Sequence, residues 1–160
     1  MSAPRHEILV TVEERFASLV RSEWVAGIAR SVLEGEGLPH AELDVLITDD
    51  ETVRRLNREY AGEDAATDVL SFSLREGEEF VSADAIERLG EVIVSYPTAE
   101  RQAGEAGRST DDEMAHLLVH GVLHLLGYDH ATPEEERRMR AREEALLGAL
   151  QHESRGRQAT

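Results

Sequence analysis

Residues 116 to 130 read HLLVHGVLHLLGYDH. Leu117, Leu118, Val122 and Leu125 recur at three- and four-residue steps, so most of this stretch reads as one buried face of a helix. Within it His120, His124, Gly127 and His130 stand at the spacing H-x3-H-x2-G-x2-H. On a helix the first two histidines differ by about 40° in direction and about 6 Å in rise, so both imidazoles reach one ion at about 2.1 Å. A helix continued to His130 would carry that ring about 9 Å past His124 along the axis. Gly127 resolves the difficulty: it is the residue most able to take a positive φ, stop the helix and turn Tyr128, Asp129 and His130 back toward the same ion. The chain has no cysteine, so any transition metal must be held by imidazole and carboxylate. The spacing therefore predicts a metal centre of His120, His124 and His130, with Zn2+ as the first occupant and nickel or iron as others. His116, one turn earlier on the same face, is open to three roles: a further ligand, support for a ligand, or packing.

Three neutral imidazoles leave the ion's charge uncompensated and a fourth position free, which is the arrangement that activates water. A peptidase built on this spacing carries a glutamate base directly after its first histidine. Here that position is Gly121. Glycine inside a helix costs about 1 kcal/mol relative to alanine, so its presence asks for a reason. One reason is room and neutrality for a bulky anionic substrate such as a phosphodiester. The other is the close packing of another helix.

The rest of the chain sets the frame. At 160 residues and 41% hydrophobic it suits one domain over 1–150, with QHESRGRQAT (151–160) as a frayed tail. The absence of a long apolar run or an N-terminal leader pattern predicts a soluble, unexported, cytoplasmic protein with no membrane segment. The net charge is −16, and all 17 basic residues are arginine. Global repulsion excludes a general nucleic-acid binder but not one focused RNA site, because screening limits each charge to roughly 8 Å at physiological salt.

A first strand is predicted over His6 to Val12. The stripe Phe16, Leu19, Val20, Trp24, Ile28 and Val32 predicts a helix from Glu13 that ends near Gly35 or Gly37. ELDVLIT (42–48) alternates as a second strand, and Asp49 and Asp50 are candidate N-caps for a short helix that Gly62 ends. TDVLSFSL (67–74) is a third strand, the acidic stretch up to Gly90 a loop, and EVIVS (91–95) a fourth strand. Pro97 opens a helix to about Gly107. Thr110 with Glu113 looks like a capping box for the histidine helix, and Thr132, Pro133 and Glu135 repeat the signal for a last one through Leu147. Strands and helices mix without strict alternation, which predicts an α+β fold with a small mixed four-stranded sheet and about five helices.

HLLVHGVLHLLGYDH, together with LNREYAGEDAATDVLSF (56–72) and LGEVIVS (89–95), resembles the YbeY family of bacterial endoribonucleases and rRNA maturation factors. The likeness runs in order over most of the chain and is weakest before His40 and after Leu147. It implies a zincin-like fold related to the metalloproteinases, single-strand RNA hydrolysis, and work in 16S rRNA 3′-end processing and ribosome quality control. His120, His124 and His130 match the family's metal ligands. Thr67, Asp68, Ser71 and Phe72 match a signature whose strand lines the groove beside the metal. Two departures stand out. The family's arginine after the tyrosine of LNxxYRG is here Ala61, and the proline before its TDVLSF threonine is here Ala66, while Glu91 fills the acidic position of its GDI strand. Arg58 and Arg55 are the nearest arginines in sequence to replace the missing one.

The reading that results is a metal-dependent endoribonuclease whose partners are rRNA and the small ribosomal subunit, with activated water attacking a phosphodiester. Asp129, as base or ligand support, and Arg58, as phosphate contact, are the catalytic candidates. Two rivals remain open at this point: a small zinc peptidase drawing a carboxylate from Glu91 or Asp129, and a ribosome-assembly factor whose metal is structural and closed by a fourth protein ligand.

Overall fold

The computed structural model describes residues 5–62, 67–74 and 86–158. Four strands form one sheet: β1 (Arg5–Val12), β2 (His40–Thr48), β3 (Val69–Ser73) and β4 (Glu87–Ser95), in the order β1-β2-β4-β3. The first three in that order run parallel, and β3 pairs antiparallel with β4 at the edge. Five α-helices accompany them: α1 (Ser22–Gly35), α2 (Asp50–Leu56), α3 (Tyr96–Ala106), α4 (Thr110–Leu125) and α5 (Pro133–Gln158). This is the expected α+β fold with a mixed four-stranded sheet.

β1 alternates exposed and half-buried residues, turning Ile8, Val10 and Val12 to the core and leaving Leu9 outside. β2 buries Ala41, Leu43, Val45 and Ile47 on the same side. Against that face lie α1, over β1, and α4, over β3 and β4, while α5 packs on both helices. Full burial of a leucine or valine is worth roughly 1.5–3 kcal/mol, and α4 alone buries Met114, Leu117, Leu118, Val119, Val122, Leu123 and Leu125. Such anchoring easily carries one helix-weakening glycine.

The last helix, expected to end at Leu147 before a frayed tail, runs on to Gln158, and four other boundaries differ from expectation, each for a local reason. The stripe from Phe16 to Val32 is not one helix: a 3-10 turn (Glu14–Phe16) buries Phe16 and Val20, and α1 starts only at Ser22. A four-residue step fits a turn as well as a helix, and Leu19 stays 55% exposed. β4 begins at Glu87, four residues into the stretch read as loop. There a bulge sets Arg88 opposite Glu42 and Gly90 opposite Leu43, which breaks the alternation that sequence reading relies on. Gly90 has φ +136°, and a Cβ on it would meet the Phe72 carbonyl oxygen. The cap of α4 is Ser109, whose Oγ accepts from Asp112 N at 3.0 Å, rather than Thr110. Glu113 instead takes Arg108 Nη2 at 2.6 Å. Finally β3 starts at Val69, with Asp68 Oδ1 accepting from Val69 N at 2.8 Å just before it. Other start signals hold as read: Asp49 accepts from Thr52 N at 2.7 Å, and Thr132 Oγ1 accepts from Glu135 N at 3.1 Å and donates to its Oε1 at 3.0 Å. Ala66 and much of the acidic loop (75–85) lie outside the described residues.

Candidate metal centre

α4 is buried on nearly every side. Beyond its first turn, the residues that are not fully buried are Ala115 and a stripe at four-residue intervals made of His116, His120 and His124. At its end Leu126 is the C-cap, Gly127 takes φ +103°, and Tyr128 N returns to Leu123 O at 3.2 Å. The chain therefore turns back where the glycine was expected to turn it. His130 arrives beside the other two rings, its centre 5.8 Å from that of His120 and 6.1 Å from that of His124, with 6.5 Å between His120 and His124.

A tetrahedral ion bound at about 2.1 Å would hold imidazole centres roughly 5 Å apart. The triangle here is wider, and among the described residues no trio of histidine, aspartate or glutamate side chains is drawn in to coordination distance. The donor set nevertheless fits an ion. His120 Nδ1 is bonded to Glu143 Oε1 at 2.6 Å, and His124 Nδ1 to the Tyr128 carbonyl oxygen at 2.9 Å. With each Nδ1 proton directed at an oxygen acceptor, each Nε2 keeps its lone pair and has no hydrogen-bond partner among the described residues.

Glu143 is the residue that sequence reading missed. It lies on α5, 23 residues beyond His120, and nothing in its local pattern separates it from the other acidic residues of that helix. Its second oxygen stands 3.3 Å from His116 Nε2. Burial pushes its carboxyl up, but hydrogen bonds and charge from His116 and His120 prevail and hold it down at about 2. His116 shifts upward, chiefly through its bond to Glu143, against the effect of burial and with help from the charges of Glu143 and Glu113. Thus His116 sits behind the ligands, sharing with His120 one carboxylate anchor.

Gly121 receives its explanation from the sheet. A Cβ there would lie 2.6 Å from Val92 Cγ1 of β4 and 3.2 Å from Val69 Cγ2 of β3, and Ser71 Oγ donates to the Gly121 carbonyl at 2.9 Å. The glycine lets α4 close on two strands, not on another helix. A glutamate at this position would enter the core, so clearance for an anionic substrate is not what the glycine provides. Ser71, one of the signature residues expected to line the groove, thereby touches the residue next to His120. Thr67 and Asp68 lie just before β3, joined at 3.3 Å through Thr67 Oγ1, and the Asp68 carbonyl accepts from Ser95 N at 2.9 Å. Phe72 points to the opposite side of β3 and meets the exposed ring of Tyr60 edge-on at 5.6 Å.

The catalytic candidates fare differently. Asp129 is exposed and its Oδ1 accepts from His130 N at 2.7 Å, which shapes the turn carrying the third histidine. Glu91 stands in mid-strand beside Asp44, and burial together with that charge raises its carboxyl. Arg58 belongs to a π-helical turn (Asn57–Ala61), a form that often marks functional positions, and Ala61 is its exposed last residue. Arg54, Arg55 and Arg58 line a shallow cavity of about 380 Å³ with Glu51 and Thr52. A larger cavity of about 560 Å³, with Glu36, Tyr128, Asp129 and Arg138 in its wall, has none of the three ligand-candidate rings in its lining.

Comparison with known proteins follows the same lines. The family model described as endoribonuclease YbeY matches residues 11–151. A protein named endoribonuclease YbeY from Desulforamulus reducens is 48% identical over 143 residues, covering 88% of this chain and 90% of the relative. Those of Roseiflexus castenholzii and Aquifex aeolicus are 46% and 43% identical, each covering at least 90% of both chains. The solution structure of TM1509 from Thermotoga maritima superposes with a TM-score of 0.55 at 22% identity, over 92% of this chain and 93% of that one, and shares its fold.

Proposed function

The chain belongs to the endoribonuclease YbeY family, and on that footing we propose that it cleaves single-stranded RNA with one metal ion, zinc first, held by His120, His124 and His130, in the maturation of the 16S rRNA 3′ end. The observation that carries the metal assignment is the pair of Nδ1 bonds, from His120 to Glu143 and from His124 to the Tyr128 carbonyl, which leaves two Nε2 lone pairs on rings whose centres lie within 6.5 Å of each other and of His130. A bound ion of this kind supplies a Lewis acid and lowers the pKa of a water in its open position. The chain's own contribution is alignment: Glu143 and the Tyr128 carbonyl fix the two α4 rings, the Asp129 carboxylate shapes the turn that presents His130, and Ser71 ties the edge strand to the ligand helix.

Phosphodiester cleavage also wants a cation near the developing negative charge. With alanine at position 61, the arginines of α2 and the π-helical turn are the groups that can take this part, and Arg58 stands within the same five-residue turn as Ala61. Three arginines, Arg54, Arg55 and Arg58, gather there beside Glu51 on a chain of net charge −16, and a focused RNA site would draw on such a local cluster. The peptidase reading loses its support: Gly121 is packed shut, Asp129 is engaged by the backbone of His130, and Glu91 belongs to the sheet. The proposed setting is the cytoplasm, with the small ribosomal subunit as partner; no described helix is long and apolar enough to cross a membrane.

The test is direct. Purified protein, stripped of metal and then titrated with zinc, is incubated with a single-stranded RNA spanning a 16S 3′ end and with the same sequence in a duplex. Zinc-dependent cleavage of the single strand alone supports the proposal, and depletion in cells should leave 16S precursors with extended ends. Cleavage unaffected by metal, or none at all with normal 16S ends after depletion, removes it.

A further inference from the structure

The turn that carries the third histidine is fastened from a second direction. Tyr128, whose carbonyl fixes His124, sends its hydroxyl to Glu36 Oε2 at 2.9 Å, across 92 residues of sequence. The other oxygen of Glu36 accepts from Arg142 Nε at 2.7 Å, and Arg142 Nη2 reaches the Gly35 carbonyl at 3.4 Å. Arg142 precedes Glu143, the anchor of His120. Neighbouring residues of a helix point about 100° apart, so this dipeptide on α5 addresses two different elements from one turn.

The ion pair in this chain is unlike the others on α5. Arg138–Glu134 and Arg140–Glu136 are solvated i,i+4 pairs with side-chain exposures of 66% and 76%, and 65% and 51%, of the kind that contribute little. Glu36 is 14% exposed and bridges a phenol and a guanidinium from two separate parts of the chain. Charge-assisted bonds of this sort are roughly twice as strong as neutral ones. They act on residues 126–130, which lie outside any helix or strand, next to His124, which is exposed and has no carboxylate partner among the described residues.

We propose that Arg142, working through Glu36 and Tyr128, is a positioning residue for His124, so that α5 orients both ligand histidines of α4 by two routes that meet at Arg142 and Glu143. The proposal rests on His124 being a metal ligand for its functional meaning, but the positioning itself is a property of the metal-free chain. Loss of the Tyr128 hydroxyl or of the Arg142 guanidinium frees the turn, moves the Tyr128 carbonyl and releases the His124 tautomer.

The experiment reads the ring nitrogens of His124 by 15N NMR in metal-free, full-length protein, and zinc affinity by chelator competition. Tyr128→Phe deletes one hydroxyl and keeps the ring; Arg142→Met keeps the apolar stem; Arg140→Met is the control for a lost surface pair. Expected are a single Nδ1–H tautomer in the parent and in Arg140→Met, and a mixture of tautomers in Tyr128→Phe and Arg142→Met. Zinc affinity should fall about 3- to 10-fold in those two, below the roughly 10- to 100-fold typical of a direct outer partner. The double variant should be no worse than the poorer single one, as for one chain of contacts, and Arg142→Lys should recover part of the loss. Unchanged His124 nitrogens in Tyr128→Phe and Arg142→Met, or a change shared by Arg140→Met, overturn the proposal. A parent that binds no zinc while its His124 nitrogens respond as described instead overturns the metal reading and leaves the positioning intact.

Discussion

Two half-buried polar clusters in this chain look alike on paper and differ in what they leave unused. In one, the Asp50 carboxylate at the start of α2 accepts from Ser95 Oγ, Thr98 Oγ1 and Arg101 Nη2, and Arg101 also reaches Thr98 Oγ1 at 2.9 Å. Donors and acceptors answer one another, and the product is a clamp between α2 and the start of α3. In the other, Glu143 takes His116 and His120, and the Tyr128 carbonyl takes His124, yet each ligand ring keeps one nitrogen with nothing to bond among the described residues. Buried polarity as such therefore does not mark function. Under the proposed function, what sets the second cluster apart is bonding capacity directed at something that is not protein.

The contrast is broken most sharply by removing a ligand. His124→Ala should abolish measurable zinc binding, a loss beyond the roughly 100-fold upper figure for outer partners, and should abolish metal-dependent RNA cleavage while leaving the far-UV spectrum of the fold intact. Retained stoichiometric zinc in this variant would show that the ion sits elsewhere. Next in size, Glu143→Gln keeps shape and loses charge. Zinc affinity should drop about 10- to 100-fold, measured by competition with a chromophoric chelator, because His120 then loses its carboxylate acceptor and His116 keeps only Glu113, at 3.8 Å. A variant with lowered melting temperature but parental zinc affinity would place Glu143 with Asp50, among the clamps.

How much of this was legible beforehand follows from the range of each interaction. The three candidate histidines lie within eleven residues, and their approach to one another follows from helix pitch and one glycine, so local sequence contained it. The strand pattern was readable where alternation is regular, in β1 and β2, and failed at the bulge beside Gly90, where the close approach of the Phe72 carbonyl from β3 leaves no room for a Cβ. Gly121 was noticed as an oddity, but its reason lies in Val92 and Val69, which only the folded sheet brings there. Glu143 was invisible for the same reason: a glutamate among many on a charged helix acquires meaning from the two imidazoles opposite. Residue types that chemistry restricts can be read from sequence, whereas partners chosen by tertiary packing have to be seen.

A third substitution separates packing from catalysis at one position. Gly121→Ala gains about 1 kcal/mol of helix propensity but forces a methyl to 2.6 Å from Val92 Cγ1, on a β-branched side chain fully buried in the core. Overpacking of this kind costs typically 1–3 kcal/mol, so a net loss of about 1 kcal/mol in urea unfolding is expected, with zinc affinity nearly unchanged. Gly121→Glu should destabilise more and confer no peptidase activity. Stable, peptide-cleaving Gly121→Glu protein would reverse the account of why the glycine is there.

The smallest effect belongs to the closed clamp, and it is a pH effect. Burial alone would push the Asp50 carboxyl up, yet hydrogen bonds from Ser95, Thr98 and Arg101, with the charge of Arg101, outweigh it and hold the group below its ordinary value of 3.8. A carboxylate lowered on folding contributes stability that is fully present above its unfolded value and is lost as pH falls through the folded one. Asp50→Asn removes that titration: the variant should be less stable than the parent near neutral pH, and the difference should shrink as pH drops below about 4, followed by urea midpoints at a series of pH values. Zinc affinity at neutral pH should match the parent. A constant difference down to low pH would mean that shape, not charge, carries the clamp, and a fall in zinc affinity would join to the histidine cluster a network whose bonds are all used within itself.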